Sequence, residues 1–174
     1  MGDNTADTDE GALVMDLRDA LREREQTIAV AETATGGRVG AALTASPGAS
    51  AVLDRVLVPY DYDALRDLLA VDREALDEHG AVSAAVTTEL AKAARDTADV
   101  TWGVANTGIA GPDGGTDDDP VGTGYVAVAY AAPWESGNSE TTVERYEFAG
   151  DRDAVQSRLT AQTLRDVLAE VDTQ

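Results

Sequence analysis

The stretch Asn106–Gly124, reading NTGIAGPDGGTDDDPVGTG, restricts what this chain can fold into more than any other segment. It lies between two apolar runs, Val100–Ala105 and Tyr125–Ala131, and reads as a long loop joining two strands. Gly108, Gly111, Gly114, Gly115, Gly122 and Gly124 supply backbone that can turn through positive φ without a Cβ penalty. Thr107, Thr116 and Thr123 set hydroxyls beside it. Such backbone curls its N–H groups into concave clusters that hold anions, phosphates above all. A Gly-rich segment taken alone is as readily a wide surface loop. Connections this long in a compact domain are generally functional or disordered, and this one is read as one wall of a ligand site.

A second bend comes earlier. Thr27–Ala31 is a short β-branched strand candidate that runs through Glu32-Thr33-Ala34-Thr35-Gly36-Gly37 into Arg38–Ala45, which is helical in period. Free amides and the dipole at a helix start attract anions, although a TGG junction is often only a cap. The remaining chain alternates helices and strands. Apolar spacing from Ala12 marks a first helix, after a polar, acidic stretch at Met1–Gly11 read as a loose tail. Ala51–Pro59 is a strand, Asp63–Ala70 and Asp72–Glu78 are helical, and Ser83 caps a long helix reaching about Ala98. Gly124–Ala131 and Thr141–Phe148 form a hairpin whose second strand reads as exposed or at an edge. A last helix follows Gly150-Asp151-Arg152-Asp153. The pattern predicts an α/β fold: a single domain over residues 12–174, a three-layer α/β/α sandwich with a mixed sheet of about five strands.

Composition narrows function. The chain has 33 acidic and 13 basic residues, 21 of the acids Asp and only one base, Lys92, a lysine. A formal charge of −20 disfavours nucleic acid, whose phosphates need a basic patch. Charge this large and this dispersed is a property of salt-adapted proteins, so stability is expected to rise with KCl. The absence of cysteine excludes disulfides and thiolate chemistry. No apolar run approaches a membrane span and no secretory signal is evident, so no membrane partner and a cytoplasmic setting are expected. His79, the only histidine, is read as structural because no Ser or Asp spacing ties it to a triad.

Five segments in order, AETATGG (31–37), EHGAVS (78–83), TGIAGPDGG (107–115), PVGT (120–123) and GDRDAV (150–155), resemble the C-terminal domain of the competence/damage-inducible CinA proteins, also known as stand-alone PncC-type nicotinamide mononucleotide deamidases. That resemblance spans essentially the whole chain. It implies hydrolysis of the nicotinamide carboxamide to nicotinic acid mononucleotide and ammonia, with a small nucleotide as substrate or ligand and neither metal nor organic cofactor. It makes Thr33 and Tyr60 the catalytic candidates. The substrate-binding candidates are Thr35, Gly36 and Gly37 from the first bend, and Thr107, Gly108, Gly111, Pro112, Gly114, Gly115 and Gly122 from the second. Arg152 joins them, either as a surface charge or as a phosphate contact from a helix start. A homo-oligomer is the expected assembly.

The chain departs from the family pattern at three places. Where family members read ESCTGG, the serine taken as nucleophile falls on Thr33, whose extra methyl stiffens χ1 and crowds attack. The family's YSNEAK stretch is here Tyr60-Asp61-Tyr62-Asp63-Ala64-Leu65, so the assisting lysine falls on Leu65. Asn106 stands where Ser or Val precedes TGIAGP. General-base assistance is typically worth ~10²–10⁴ in rate. Its loss predicts slow hydrolysis, or nucleotide binding without turnover.

Overall fold

Strand β1 (Ile28–Glu32) is buried along its whole length, inside the sheet. Parallel to it on either side run β2 (Leu53–Leu57) and β3 (Trp102–Gly108). Strand β4 (Thr123–Tyr130) pairs antiparallel with β3, and β5 (Glu140–Glu147) antiparallel with β4. The order is β2-β1-β3-β4-β5, a mixed five-stranded sheet in one domain, as the alternation of elements predicts. The computed structural model describes residues 5–174, with residues 5–9 described by backbone alone.

The two faces of the sheet differ in side-chain size, and that difference sets how the helices pack. On one face Ile28, Val30, Trp102, Val104 and Val128 meet α1 (Thr5–Glu23), α2 (Arg38–Ala45) and α6 (Arg152–Thr173) through Leu17, Leu21, Leu43, Leu164 and Val167. Each such buried aliphatic side chain contributes about 1.5–3 kcal/mol relative to exposure. The other face carries Ala29, Ala31, Ala105, Ala127 and Ala129, and receives α3 (Tyr62–Leu69), α4 (Arg73–His79) and α5 (Ala84–Ala98). These small residues let α5 approach very closely. A Cβ added at Gly103 would lie 2.0 Å from the Ala91 carbonyl oxygen and 2.6 Å from the Arg95 Cβ. Dispersion across this short gap substitutes for bulk.

Among the described residues, side-chain oxygens start four of the helices. Ser83 accepts from the Val86 amide, Asp61 from Ala64, Asp72 from Glu74 and Asp151 from Ala154. The Ser83 cap is the one read from the sequence. Helix α2 has no side-chain cap at Gly37, and its amides are satisfied from elsewhere.

Three boundaries differ from the sequence reading. Strand β3 continues through Asn106, Thr107 and Gly108, which pair with Val126, Tyr125 and Gly124, so the long loop is confined to residues 109–122. Polar strand ends of this kind break the apolar run while keeping the ladder. Strand β2 is shorter than Ala51–Pro59, because Ala49–Ala51 forms a 3-10 turn. Helix α1 begins at Thr5 instead of Ala12, since residues 5–11 include too few apolar ones for a period to mark. Residues 1–4 of the expected Met1–Gly11 tail lie outside the described residues. Strands β2 and β5 are the sheet edges. Among the described residues no helix is long and apolar enough to cross a membrane.

Candidate active site

Parallel strands β1, β2 and β3 release their chain at the same end of the sheet, where ligands bind in open α/β folds. The segments that leave them enclose a cavity of about 290 Å³. Thr33 and Ala34 follow β1, Pro59, Tyr60, Tyr62 and Leu65 follow β2, and Gly108 ends β3, which Ile109, Ala110, Gly111, Asp113 and Gly114 follow. Ala81 and Val82 enter from ahead of α5, and Arg152 from the start of α6.

Thr33 sits where β1 ends against β3. Its amide and its hydroxyl both donate to the main-chain oxygen of Asn106, at 3.1 and 3.3 Å. A peptide carbonyl accepts a hydrogen bond but cannot take the proton away. The residue beside Thr33 explains the start of α2. Glu32 is fully buried, and its Oε1 accepts from the Gly40 amide at 2.9 Å while Oε2 accepts from the Val39 amide at 3.1 Å. The Thr35 hydroxyl donates to Oε2 at 2.5 Å and lies 3.1 Å from Asn106 Oδ1; Asn106 Nδ2 reaches Thr163 Oγ1 at 3.4 Å. The N-terminus of α2 therefore already holds an anion, the chain's own carboxylate. A second anion there would meet repulsion where the dipole and amides are already engaged.

Arg152 supplies the positive charge of the cavity. Its Nη1 donates to the Gly111 carbonyl at 2.7 Å and its Nη2 to the Tyr60 hydroxyl at 3.2 Å, tying α6 to both neighbouring loops. The glycine loop is fastened from behind. Asp119 Oδ1 accepts from the Tyr125 hydroxyl at 3.1 Å and from Arg145 Nε at 3.3 Å, and Arg145 Nη2 also donates to the Asp118 carbonyl. Burial, with Asp119 adding to it, pushes the Tyr125 hydroxyl above its ordinary pKa. Where the loop returns, Gly122 at φ 100° passes the end of β5 so closely that a Cβ would lie 2.1 Å from the Phe148 carbonyl oxygen. The backbone N–H groups of Ala34, Ala110, Gly111 and Gly114 engage no partner among the described residues. Among those residues no group of three or more His, Asp or Glu side chains converges as a metal site would.

The family model for the CinA C-terminal domain matches residues 11–171. The chain belongs to the CinA C-terminal domain family. Two relatives called CinA-like proteins bear this out: that of Salinibacter ruber is 44% identical over 151 residues, covering 87% of this chain, and that of Geobacter sulfurreducens is 43% identical over 167 residues, covering 96%. The alignments cover only 35% and 37% of those two proteins, so this CinA domain spans about a third of the length of the curated relatives it matches. Among solved structures, the competence damage-inducible protein A from Klebsiella pneumoniae superposes with a TM-score of 0.86 at 30% identity, covering 94% of this chain and 97% of that one. The competence/damage-inducible protein CihA from Agrobacterium tumefaciens gives 0.86 at 31% identity, covering 92% and 94%.

Within this CinA domain the cavity gathers some of the residues singled out from the sequence and leaves others aside. Thr33, Tyr60, Gly108, Gly111, Gly114 and Arg152 line it, and the first and second bends meet there. Thr35 lies beneath, committed to Glu32. Gly36 and Gly37 shape the start of α2, and Thr107 is buried with its hydroxyl 2.7 Å from that of Thr87. Pro112, in a cis peptide bond with Gly111, and Gly115 and Gly122 belong to the loop but not to the lining. Leu65, the position of the family's lysine, is in the wall, whereas Lys92 is exposed on α5 away from it. His79 ends α4, exposed and outside the lining. Glu32, beside the cavity, and Tyr62 and Asp113, in its lining, escape the sequence reading. An acid at a strand end just before a Thr/Gly helix start is the signal that marks Glu32.

Proposed function

We propose that this CinA domain binds a pyridine nucleotide in the cavity and hydrolyses its carboxamide slowly, with Thr33 as nucleophile. The observation that carries the reading is that Thr33, the glycine-loop residues whose amides engage no partner among the described residues, and Arg152 all line one cavity. Because Glu32 fills the start of α2, the 5′-phosphate falls to Arg152 and the amides at Gly111 and Gly114. Arg152 would exchange its bond to the Gly111 carbonyl for the phosphate oxygens.

In the reaction, Thr33 Oγ1 forms a bond to the carboxamide carbon, the hydroxyl proton passes to the amide nitrogen, and that nitrogen leaves as ammonia. Water then cleaves the resulting ester and restores the hydroxyl. The Ala34 amide is the nearest unengaged donor in sequence for the developing oxyanion. Tyr60 accepts from Arg152, which leaves its own O–H to donate to the departing nitrogen. No lysine assists Thr33, and its hydroxyl points to a main-chain carbonyl, so the rate is expected to be lower by ~10²–10⁴ than with a base in place. The same observation favours a second reading, in which the nucleotide binds and is not turned over. Ammonia release from nicotinamide mononucleotide in molar KCl distinguishes the two. Turnover that disappears in Thr33→Ala supports hydrolysis, and saturable binding with no ammonia supports the second. The reading carries with it a cytoplasmic setting, high salt and a homo-oligomer, the last tested by light scattering.

A further inference from the structure

We propose that Leu65 makes this site select the neutral carboxamide of a pyridine nucleotide against the corresponding carboxylate. The inference rests on the pyridine-nucleotide reading above. It begins from the distribution of charge around the cavity. Among the described residues Arg152 is the one cation in the lining, exposed and bonded to the Gly111 carbonyl and the Tyr60 hydroxyl. Asp113 is the one anion among those described residues. Leu65, by contrast, is 2% exposed and belongs to the apolar cluster of α3, α4 and α5 that also holds Ala31, Leu69 and Val86. Pro59, Ala81, Val82 and Ile109 complete a wall without charge beside it.

For a nucleotide whose phosphate engages Arg152, the lining offers no second cation among the described residues to the ring substituent, and the positive pyridinium nitrogen is common to amide and acid. A carboxamide is neutral, and its oxygen and nitrogen can bond to the Thr33 hydroxyl or a loop amide. A carboxylate at that place gives up its water, meets Leu65 and shares the cavity with Asp113. Burying an unpaired charge costs far more than burying a paired amide, and a site left with such a mismatch rejects the ligand strongly. A nicotinate ring is thus disfavoured by about tenfold or more. If hydrolysis occurs, the acid it forms leaves instead of occupying the site. If it does not, the site responds to the amide nucleotide alone.

The charge of the whole chain is a rival cause, since −20 repels any extra negative charge on a ligand. Salt separates the two, because long-range repulsion between exposed charges is screened at molar ionic strength whereas local burial is not. Calorimetric titration of the full chain with nicotinamide mononucleotide and with nicotinic acid mononucleotide, at low and at molar KCl, is the test. The expected result is at least roughly tenfold tighter binding of the amide, retained in molar KCl. Leu65→Lys is expected to bring the ratio to near one or invert it, while Leu65→Met keeps it. Equal or tighter binding of the acid by the unaltered protein overturns the inference, as does a preference that vanishes in high salt. An unchanged ratio in folded Leu65→Lys overturns it too. If Leu65→Lys does not fold, the two titrations of the unaltered protein decide. Heat from neither nucleotide overturns the inference together with the reading beneath it.

Discussion

Replacing Glu32 with Gln sets two electrostatic effects against each other. The carboxylate receives three donors: the Val39 and Gly40 amides and the Thr35 hydroxyl. Hydrogen bonds to a charged acceptor contribute about 1.5–3 kcal/mol against about 0.5–1.5 for neutral ones, so the charge component of three bonds is roughly 3 kcal/mol. The amide also turns an N–H₂ toward one of these donors, leaving it unmet at a cost of about 1–3 kcal/mol. Against this, Gln avoids the desolvation cost of a buried ion, which brings the net loss to roughly 2–3 kcal/mol. For a chain of this length that corresponds to a melting temperature lower by roughly 5–10 °C. If the repulsion among 33 acids governs stability, removing one acid raises the melting temperature. The measurement is thermal unfolding in molar KCl, with Glu78→Gln, an exposed position, as the equal-charge control. Glu32→Gln melting at or above the unaltered protein would refute the assignment of Glu32 as the internal anion of α2.

Other consequences follow from packing, charge and titration. Gly103→Ala drives a methyl into the Ala91 carbonyl, so α5 must lift from the sheet. Chemical denaturation is expected to show a loss of about 3 kcal/mol or more, or no folded protein. Asp166 is held above the ordinary carboxylate range, chiefly by burial, with Glu144 and Glu170 adding to it. A carboxyl raised in the folded state stabilises as it is protonated, so acidification from neutrality through its folded value should add stability, and Asp166→Asn should flatten that slope. Tyr146, pushed up to about 12 by burial and Asp166, should ionise later than an ordinary phenol in an ultraviolet absorbance titration. The melting temperature should climb steeply with KCl, because screening relieves the repulsion of a chain at −20; a flat profile contradicts this.

Periodicity and punctuation made the architecture legible. Alternating helix and strand signals predict the α/β sandwich, the imperfect alternation of Thr141–Phe148 marks an edge, and Ser83 announces α5. What the pattern could not show is where polar residues find partners across the sheet. Asn106 and Thr107 read as loop because they end an apolar run, yet the buried hydroxyls of Thr35, Thr163 and Thr87 lie within reach and keep them in β3. The glycines of both bends point to a cavity, but not to which of them face it. Gly37 and Gly122 turn the chain through positive φ, and neither lines the cavity. Thr35 reads as a ligand contact from its place in TGG. Its hydroxyl is taken by Glu32, a partner that only the turn of the backbone brings to it. Arg145 lies far along the chain from Asp119, and no local pattern couples them.

The most direct test is a crystal structure of the CinA domain grown in high salt with nicotinamide mononucleotide. The nucleotide is expected among Thr33, Gly108–Gly114 and Arg152, with its phosphate on the Arg152 guanidinium and its ring toward Leu65. A nucleotide seated at the start of α2, or a cavity that stays empty at saturating concentration, would contradict that placement.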